Sequence, residues 1–310
     1  MNSAAQSLIP NCLSEQPSDI QLELVLVIIG QSVNSNDRTF VIEKLNSCEI
    51  EHKLVRETEK VIELIISISF QQASAFSSEL DKAAFFKHYD VALLANNSRK
   101  KKLLVCDMDS TIISSETLDE IAKHAGIGEQ VCEITDKAMR GEIDFNSALT
   151  ERVKLLTDMP ISVLNEIAES TDFNPGAESL LSKAKSYGIR TVLVSGGFEP
   201  IVNTVAEKLG FDRYVCNRME SNNDLLTGNV IPPIVNSKTK LSVLKEECHS
   251  LNISLDQACT IGDGANDLPM IEAAGLGISY YGKPVLRKVT SYQINVTDLE
   301  SALFMMGIID

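Results

Sequence analysis

The sequence predicts an α/β protein, a parallel sheet carrying an inserted helical block, preceded by a small α+β ferredoxin-like domain. Three observations carry this reading. The first hundred residues follow the order β-α-β-β-α-β. From residue 175 onward, short apolar strand-like runs alternate with helix-like ones. Between these regions, 117–172 is nearly all helical in pattern. With 310 residues and roughly 150 per domain, about two domains are expected, each long enough to bury a core.

Residues 1–21 are polar and read as loosely held. Next, 22–29 is rich in β-formers, 37–45 is helix-like behind Asn36, and 49–57 and 60–70 read as two strands. Residues 73–87 are again helix-like, and 89–94 closes the set as a strand. The turn-rich Ala95-Asn96-Asn97-Ser98 ends this first domain, 1–96. The second domain, 97–310, opens on an apolar strand at 102–106. Thr117-Leu118-Asp119-Glu120 has the pattern of a capping box, and Gly141, Pro160 and Asn174-Pro175-Gly176 punctuate the helical stretch beyond it. Helices are expected at 177–187, 200–209, 238–251 and 268–274. Strands are expected at 190–194, 214–216, 258–261 and 276–279, with a hairpin turning at Asn222-Asn223. The core is then 97–115 and 175–310, with the helical block at about 116–174 inserted.

Composition excludes several classes. With 43 acids against 28 bases, the net charge of -15 repels phosphodiester backbones, so no nucleic-acid partner is expected. The basic run Arg99-Lys100-Lys101-Lys102 leads straight into an apolar strand. The N-terminus lacks a basic, then apolar, leader pattern, and the strongest apolar run, 24–29, is far short of a membrane span. Seven cysteines form no CxxC pair, which suits a reducing compartment, so a cytoplasmic location is expected.

The unusual residues fall where strands end, which is where ligands sit in parallel sheets. The first strand runs into Asp107-Met108-Asp109-Ser110-Thr111, two carboxylates at the exit of a segment made for burial. Alone this is either an acidic surface turn or half of a cation site. Strand 258–261 ends in Gly262-Asp263-Gly264-Ala265-Asn266-Asp267, a tight turn that again carries acids. A calcium loop would need a closing Glu, which is missing. Strand 190–194 ends in Ser195-Gly196-Gly197, either a helix cap or a hydroxyl and free N–H groups for an oxyanion. Together the three turns suit Mg²⁺ and a carboxylate nucleophile toward phosphorus.

Asp107-x-Asp109-x-Thr111, Ser195-Gly196, a downstream lysine and Gly262-Asp263-Gly264-x-Asn266-Asp267 resemble the haloacid dehalogenase-like phosphatases, most closely the phosphoserine phosphatase subfamily, from about residue 101 to the end. The resemblance implies a Rossmann-like core with a C1-type helical cap. It also implies a small phosphomonoester substrate, O-phospho-L-serine, and Mg²⁺ as cofactor. Asp107 would be the nucleophile and Asp109 the general acid and base. Asp107, Asp109 (through its carbonyl) and Asp263 would hold the metal, with Asp267 orienting that shell. Ser195, Gly196 and Lys240 would bind the phosphoryl group. Lys240 is chosen over Lys238 and Lys245 because 240–263 reproduces the family spacing. Glu116, nine residues after Asp107, would bind the substrate ammonium and Arg152 its carboxylate. Met139 and Phe145 would shield the pocket, and Asn266 would hydrogen-bond substrate. The first domain is similar to the ACT class of amino-acid-sensing domains, and a homodimer is a further expectation. Rival readings are a family member acting on another phosphomonoester, or as a phosphotransferase, and an amino-acid-binding regulator.

Overall fold

The structure, a computed structural model, describes residues 20–140 and 142–308. The loosely held segment expected at 1–21 lies almost wholly outside the described residues, and Gly141 lies outside them too. Two compact units divide the chain. One takes the residues up to Lys102 together with those from Ile253 onward, and the other runs Leu103–Asn252.

The first unit opens with β1 (Leu22–Ile29), α1 (Ser35–Ser47), β2 (Glu51–Glu57), β3 (Val61–Ile68), α2 (Phe70–Lys82) and β4 (Asp90–Leu94). The strands lie in the order β2-β3-β1-β4, every neighbour antiparallel, which is the expected ferredoxin-like arrangement. Central β1 and β3 are mostly buried on both faces, whereas edge strand β2 is largely exposed. Both helices begin in capping boxes, Asn34 with Asp37 and Ser69 with Gln72. Their buried faces pack Val41, Leu45, Phe76 and Leu80 onto Leu26, Ile28 and Leu64. The Ser69 cap starts the second helix at Phe70, earlier than the 73 expected. It also stops at Lys82, because Ala84 turns left-handed (φ 54°) ahead of a single 3-10 turn, Phe85–Lys87.

The second unit begins with β5 (Leu103–Cys106). The helical block resolves into α3 (Thr117–His124), α4 (Gly128–Met139), α5 (Phe145–Lys154) and α6 (Ser162–Ser170). Its neck is backbone-paired: Ser114 N donates to Asp172 O at 3.1 Å and Asn174 N to Ile112 O at 2.9 Å. Then come α7 (Ala177–Ser186), β6 (Arg190–Phe198), α8 (Glu199–Leu209), β7 (Arg213–Asn222), β8 (Leu225–Ile231) and α9 (Ser237–Ser250). β5, β6 and β7 are parallel, and β8 returns antiparallel to β7. Two expectations are corrected here. The strand expected at 214–216 runs to Asn222, because pairing with β8 extends it past its apolar part. The hairpin turns at Asn223-Asp224, one residue later than expected, since these two carry the positive φ values (51° and 63°) that such a turn requires.

The chain then returns to the first unit with β9 (Ala258–Gly262), α10 (Leu268–Ala273), β10 (Leu276–Tyr280), α11 (Pro284–Arg287), β11 (Gln293–Ile294) and α12 (Ser301–Met305). β9, β10 and β11 are parallel neighbours. In this unit the C-terminal segment is buckled to β4 by Asp90. Its buried carboxylate accepts from Asn295 N at 2.7 Å, Thr297 N at 3.0 Å and Thr297 Oγ1 at 2.5 Å. No described helix is long and apolar enough to cross a membrane.

Candidate active site

In the second unit, Asp107 follows the last residue of β5 directly. Its carboxylate Oδ1 lies 2.5 Å from Lys240 Nζ, and both side chains are almost wholly removed from solvent, at 4% and 1% exposure. Lys240 belongs to the first turn of α9, capped by Asn236, whose Oδ1 accepts from Lys238 N at 3.0 Å and Thr239 N at 3.2 Å. That register turns Lys240 inward while Lys238 and Lys245 stay exposed. A buried ammonium is tolerable only beside a counter-charge, and Asp107 supplies it.

The turn after Asp107 winds tightly. The Met108 carbonyl accepts from Thr111 N, Ile112 N and Ile113 N at 3.2, 2.8 and 3.0 Å, and Ser110 is left-handed at φ 54°. This aims the half-buried Asp109 carboxylate at two donors, Thr117 N at 2.8 Å and Ser195 Oγ at 3.0 Å. The expected capping box at Thr117 is therefore not formed. Thr117 is the first helical residue, Glu116 precedes it without a side-chain cap, and Asp109 satisfies the helix N–H instead. Ser195, just past the continuously paired part of β6, also accepts from Gly197 N at 2.8 Å. A Cβ on Gly197 would stand 3.0 Å from Ser195 Oγ and 3.1 Å from Met108 Cε, so the second glycine of the motif lets the two turns meet.

The cap contributes the residues expected to read the substrate. Ser110 Oγ donates to Glu116 Oε1 at 2.9 Å. Arg152, half-buried on α5, donates from Nε to the Ala148 carbonyl at 3.2 Å and has Nη1 3.5 Å from Thr135 Oγ1. Burial pushes its guanidinium below the usual range, and the negative charges of Asp119 and Glu116 oppose that shift. Phe145 opens α5 behind its cap Asp144, and its ring tip lies 3.7 Å from where a Gly196 Cβ would stand. At 40% exposure it lies over the Ser195-Gly196 turn with one face still in solvent. Met139 closes α4, and its side chain lies outside the described residues.

The first unit carries the remaining acids. Asp263 follows β9, with its carbonyl accepting from Lys283 N at 2.8 Å and its carboxylate 3.5 Å from Lys283 Nζ. Asp267 is fully buried and accepts from Gly264 N at 3.0 Å. A Cβ on Gly262 would fall 2.4 Å from Asp267 Cγ, so this carboxylate packs on a bare glycine backbone. Asn266, half-buried, places Oδ1 2.4 Å from a notional Gly264 Cβ.

Two neighbours went unnoticed in the sequence. Lys283 is signalled only by a Gly-Lys-Pro turn after a strand. Asn217 is fully buried, donating to the Gly196 carbonyl at 2.8 Å and accepting from Val235 N at 2.7 Å. It sits where a short apolar strand was expected to end, so nothing marked it.

Asp107 in the second unit, and Asp263 and Asp267 in the first, are buried carboxylates of the kind that could hold a metal ion. Hard carboxylate oxygens suit Mg²⁺. The Asp109 carboxylate is engaged by Ser195 Oγ and Thr117 N.

Comparison with known proteins agrees with this chemistry. The profile of the haloacid dehalogenase-like hydrolases matches residues 104–272. Phosphoserine phosphatase of Streptococcus thermophilus is 42% identical over 202 residues, 65% of this chain and 94% of that protein. Phosphoserine phosphatase of Archaeoglobus fulgidus is 37% identical over 240 residues, 77% of this chain and 70% of that protein. Among solved structures, a HAD family hydrolase of Salmonella enterica serovar Typhi superposes with a TM-score of 0.80 at 28% identity, covering 91% of this chain and 98% of its own. The chain belongs to the haloacid dehalogenase-like hydrolase family and, within it, to the family of the phosphoserine phosphatases.

Proposed function

We propose that the chain hydrolyses O-phospho-L-serine to L-serine and phosphate, with Mg²⁺, by way of an aspartyl-phosphate on Asp107. The observation that carries this reading is the buried Asp107–Lys240 pair beside an Asp109 carboxylate held by Ser195 Oγ. Lys240 pairs with the Asp107 carboxylate and draws the phosphoryl group toward it. Asp107 Oδ attacks phosphorus, the bond from phosphorus to the seryl oxygen breaks, and Asp109 gives that oxygen its proton. Asp109, now a carboxylate, takes a proton from the water that attacks the phosphoenzyme, releasing phosphate and restoring Asp107. One residue serves both halves because they need opposite proton transfers.

Asp107, the Asp109 carbonyl and Asp263 would hold Mg²⁺, with Asp267 orienting them, and the ion supplies positive charge that lets an anionic nucleophile meet an anionic phosphate. The Ser195 hydroxyl rotates freely and can turn from Asp109 to a phosphoryl oxygen, joined by the Gly196 N–H. Glu116 and Arg152 then read the ammonium and carboxylate of the amino acid, Asn266 hydrogen-bonds the substrate, and Met139 and Phe145 exclude water. A small-molecule enzyme of this kind with free cysteines at every described cysteine position fits a cytoplasmic location.

The test is phosphate release from O-phospho-L-serine, O-phosphothreonine and a sugar phosphate, with Mg²⁺ or with EDTA, for the parent and Asp107→Asn. Metal-dependent release from phosphoserine that vanishes in the variant is the expected result. Preference for another ester overturns the roles of Glu116 and Arg152, and release that survives Asp107→Asn overturns the nucleophile.

A further inference from the structure

The cap is joined to the rest of its unit in two physically different ways. Around 158–161 the joints are main-chain hydrogen bonds, and the neck combines such bonds with the side-chain contacts of Asp109 and Ser110. Asp158 N donates to Leu226 O, Leu226 N to Met159 O and Ile161 N to Asp224 O, each at 2.9 Å, stapling the cap to the β7–β8 hairpin. The Glu169–Lys208 ion pair at 2.8 Å adds to that side. At the start of α5, beside Phe145, the joint is a side-chain bond: Asn236 Nδ2 donates to Asn146 Oδ1 at 3.2 Å. Several main-chain bonds open together or not at all, whereas one solvent-exposed amide bond opens readily.

Asn236 is not free to point elsewhere. Its Oδ1 is committed to Lys238 N and Thr239 N as the cap of α9, so its Nδ2 is aimed outward at α5. Asn146 is similarly prepared, since Asp144 Oδ1 accepts from its backbone N–H at 2.9 Å and fixes the first turn of α5. The residue on one side of this bond adjoins Phe145, which covers Gly196. The residue on the other side caps the helix that delivers Lys240. We propose that Asn146 and Asn236 are positioning residues that latch the cap over the phosphate-binding turn, the hairpin staple acting as the fixed side about which the cap opens. This inference rests on the phosphatase reading only for its consequence in turnover. The latch itself is a statement about the cap.

The chemistry of the amide gives a test separable from helix capping, because Asp caps a helix as well as Asn. In Asn146→Asp the carboxylate still accepts from Asn236. In Asn236→Asp the Asn146 amide can flip and donate instead. Only the double variant Asn146→Asp/Asn236→Asp sets two carboxylates face to face. Amide hydrogen exchange of residues 145–150 in the metal-free full chain is the primary readout. Each single variant is expected within about twofold of the parent, and the double to exchange about 5-fold faster or more, with 1 M salt reversing part of the change. In parallel, the KM for phosphoserine rises about 3-fold or more in the double, since a cap that spends longer open binds substrate less well.

Exchange in the double variant that equals the product of the singles, or that is unchanged, overturns the latch. Should the double variant fold poorly, Asn146→Ala replaces it: exchange confined to 145–150 rises if the latch exists and stays at the parent rate if it does not. If the parent does not hydrolyse phosphoserine, the functional reading fails by itself and the exchange result still decides the latch.

Discussion

Replacing Lys240 by Met tests the central electrostatic argument. Lys240 and Asp107 are each nearly solvent-free and 2.5 Å apart, so removing the ammonium leaves a buried carboxylate without its nearest counter-charge. Breaking such a pair from one side costs roughly 3–5 kcal/mol, whereas replacing both charges by neutral groups of similar size is close to neutral. Lys240→Met is therefore expected to lower unfolding free energy by about 3 kcal/mol in urea melts in metal-free buffer. Asp107→Asn alone should also destabilise, and the double variant should recover most of the loss, a coupling on the order of 2 kcal/mol. Turnover of phosphoserine at saturating Mg²⁺ should drop about 10²–10³-fold in Lys240→Met, the usual scale for losing one donor aimed at developing oxyanion charge. The reasoning is refuted if Lys240→Met melts within 1 kcal/mol of the parent (about fivefold in the folding constant), or if the two single losses simply add in the double variant.

Glu116→Gln and Arg152→Ala should each raise the KM for phosphoserine about 10–100-fold, the worth of one charged hydrogen bond, while p-nitrophenyl phosphate, which lacks the zwitterion, changes far less in steady-state assays. Gly262→Ala forces a methyl to within 2.4 Å of Asp267 Cγ, so urea melts should show a loss of about 1–3 kcal/mol, and a Mg²⁺ titration of activity should show weaker activation. Asp90→Ala strips the acceptor from the 295–297 donors and should cost about 3 kcal/mol by the same melts. Burial raises Asp90 above its ordinary value of 3.8. The folded state then binds the proton more tightly than the unfolded state. Its contribution is full below the ordinary value and is lost as pH climbs through the raised one. Measured against non-titrating Asp90→Asn, the parent's relative stability should fall as pH rises across that window, and a rise would contradict the assignment.

Much of this molecule was legible in its residues because the signals are local. Alternating apolar runs mark the strands, whereas the Ser69 cap that starts the second helix at Phe70 was not read. Carboxylates following β5 and β9 stand out because charged side chains rarely end a buried strand without a ligand or partner. Element order, the helical insertion, and the turns on which Asp107, Asp109, Ser195 and Asp263 lie could all be read from the chain alone. The lysine was narrowed to 238, 240 or 245, from which the family spacing selected 240.

Which atoms face each other was settled only by folding. The Thr117 pattern reads as a capping box, yet its N–H meets Asp109, a residue eight positions earlier, because the turn at Ser110 brings that carboxylate back onto the helix start. Asn217 and Asn146 look like ordinary polar residues, and their roles arise only when Gly196, Val235 and Asn236 arrive from distant parts of the chain. β7 outruns its apolar core because a second strand pairs with it. In each case the deciding partner lies outside the local pattern, and a hydrogen bond across that separation leaves no periodic trace in the residues that make it.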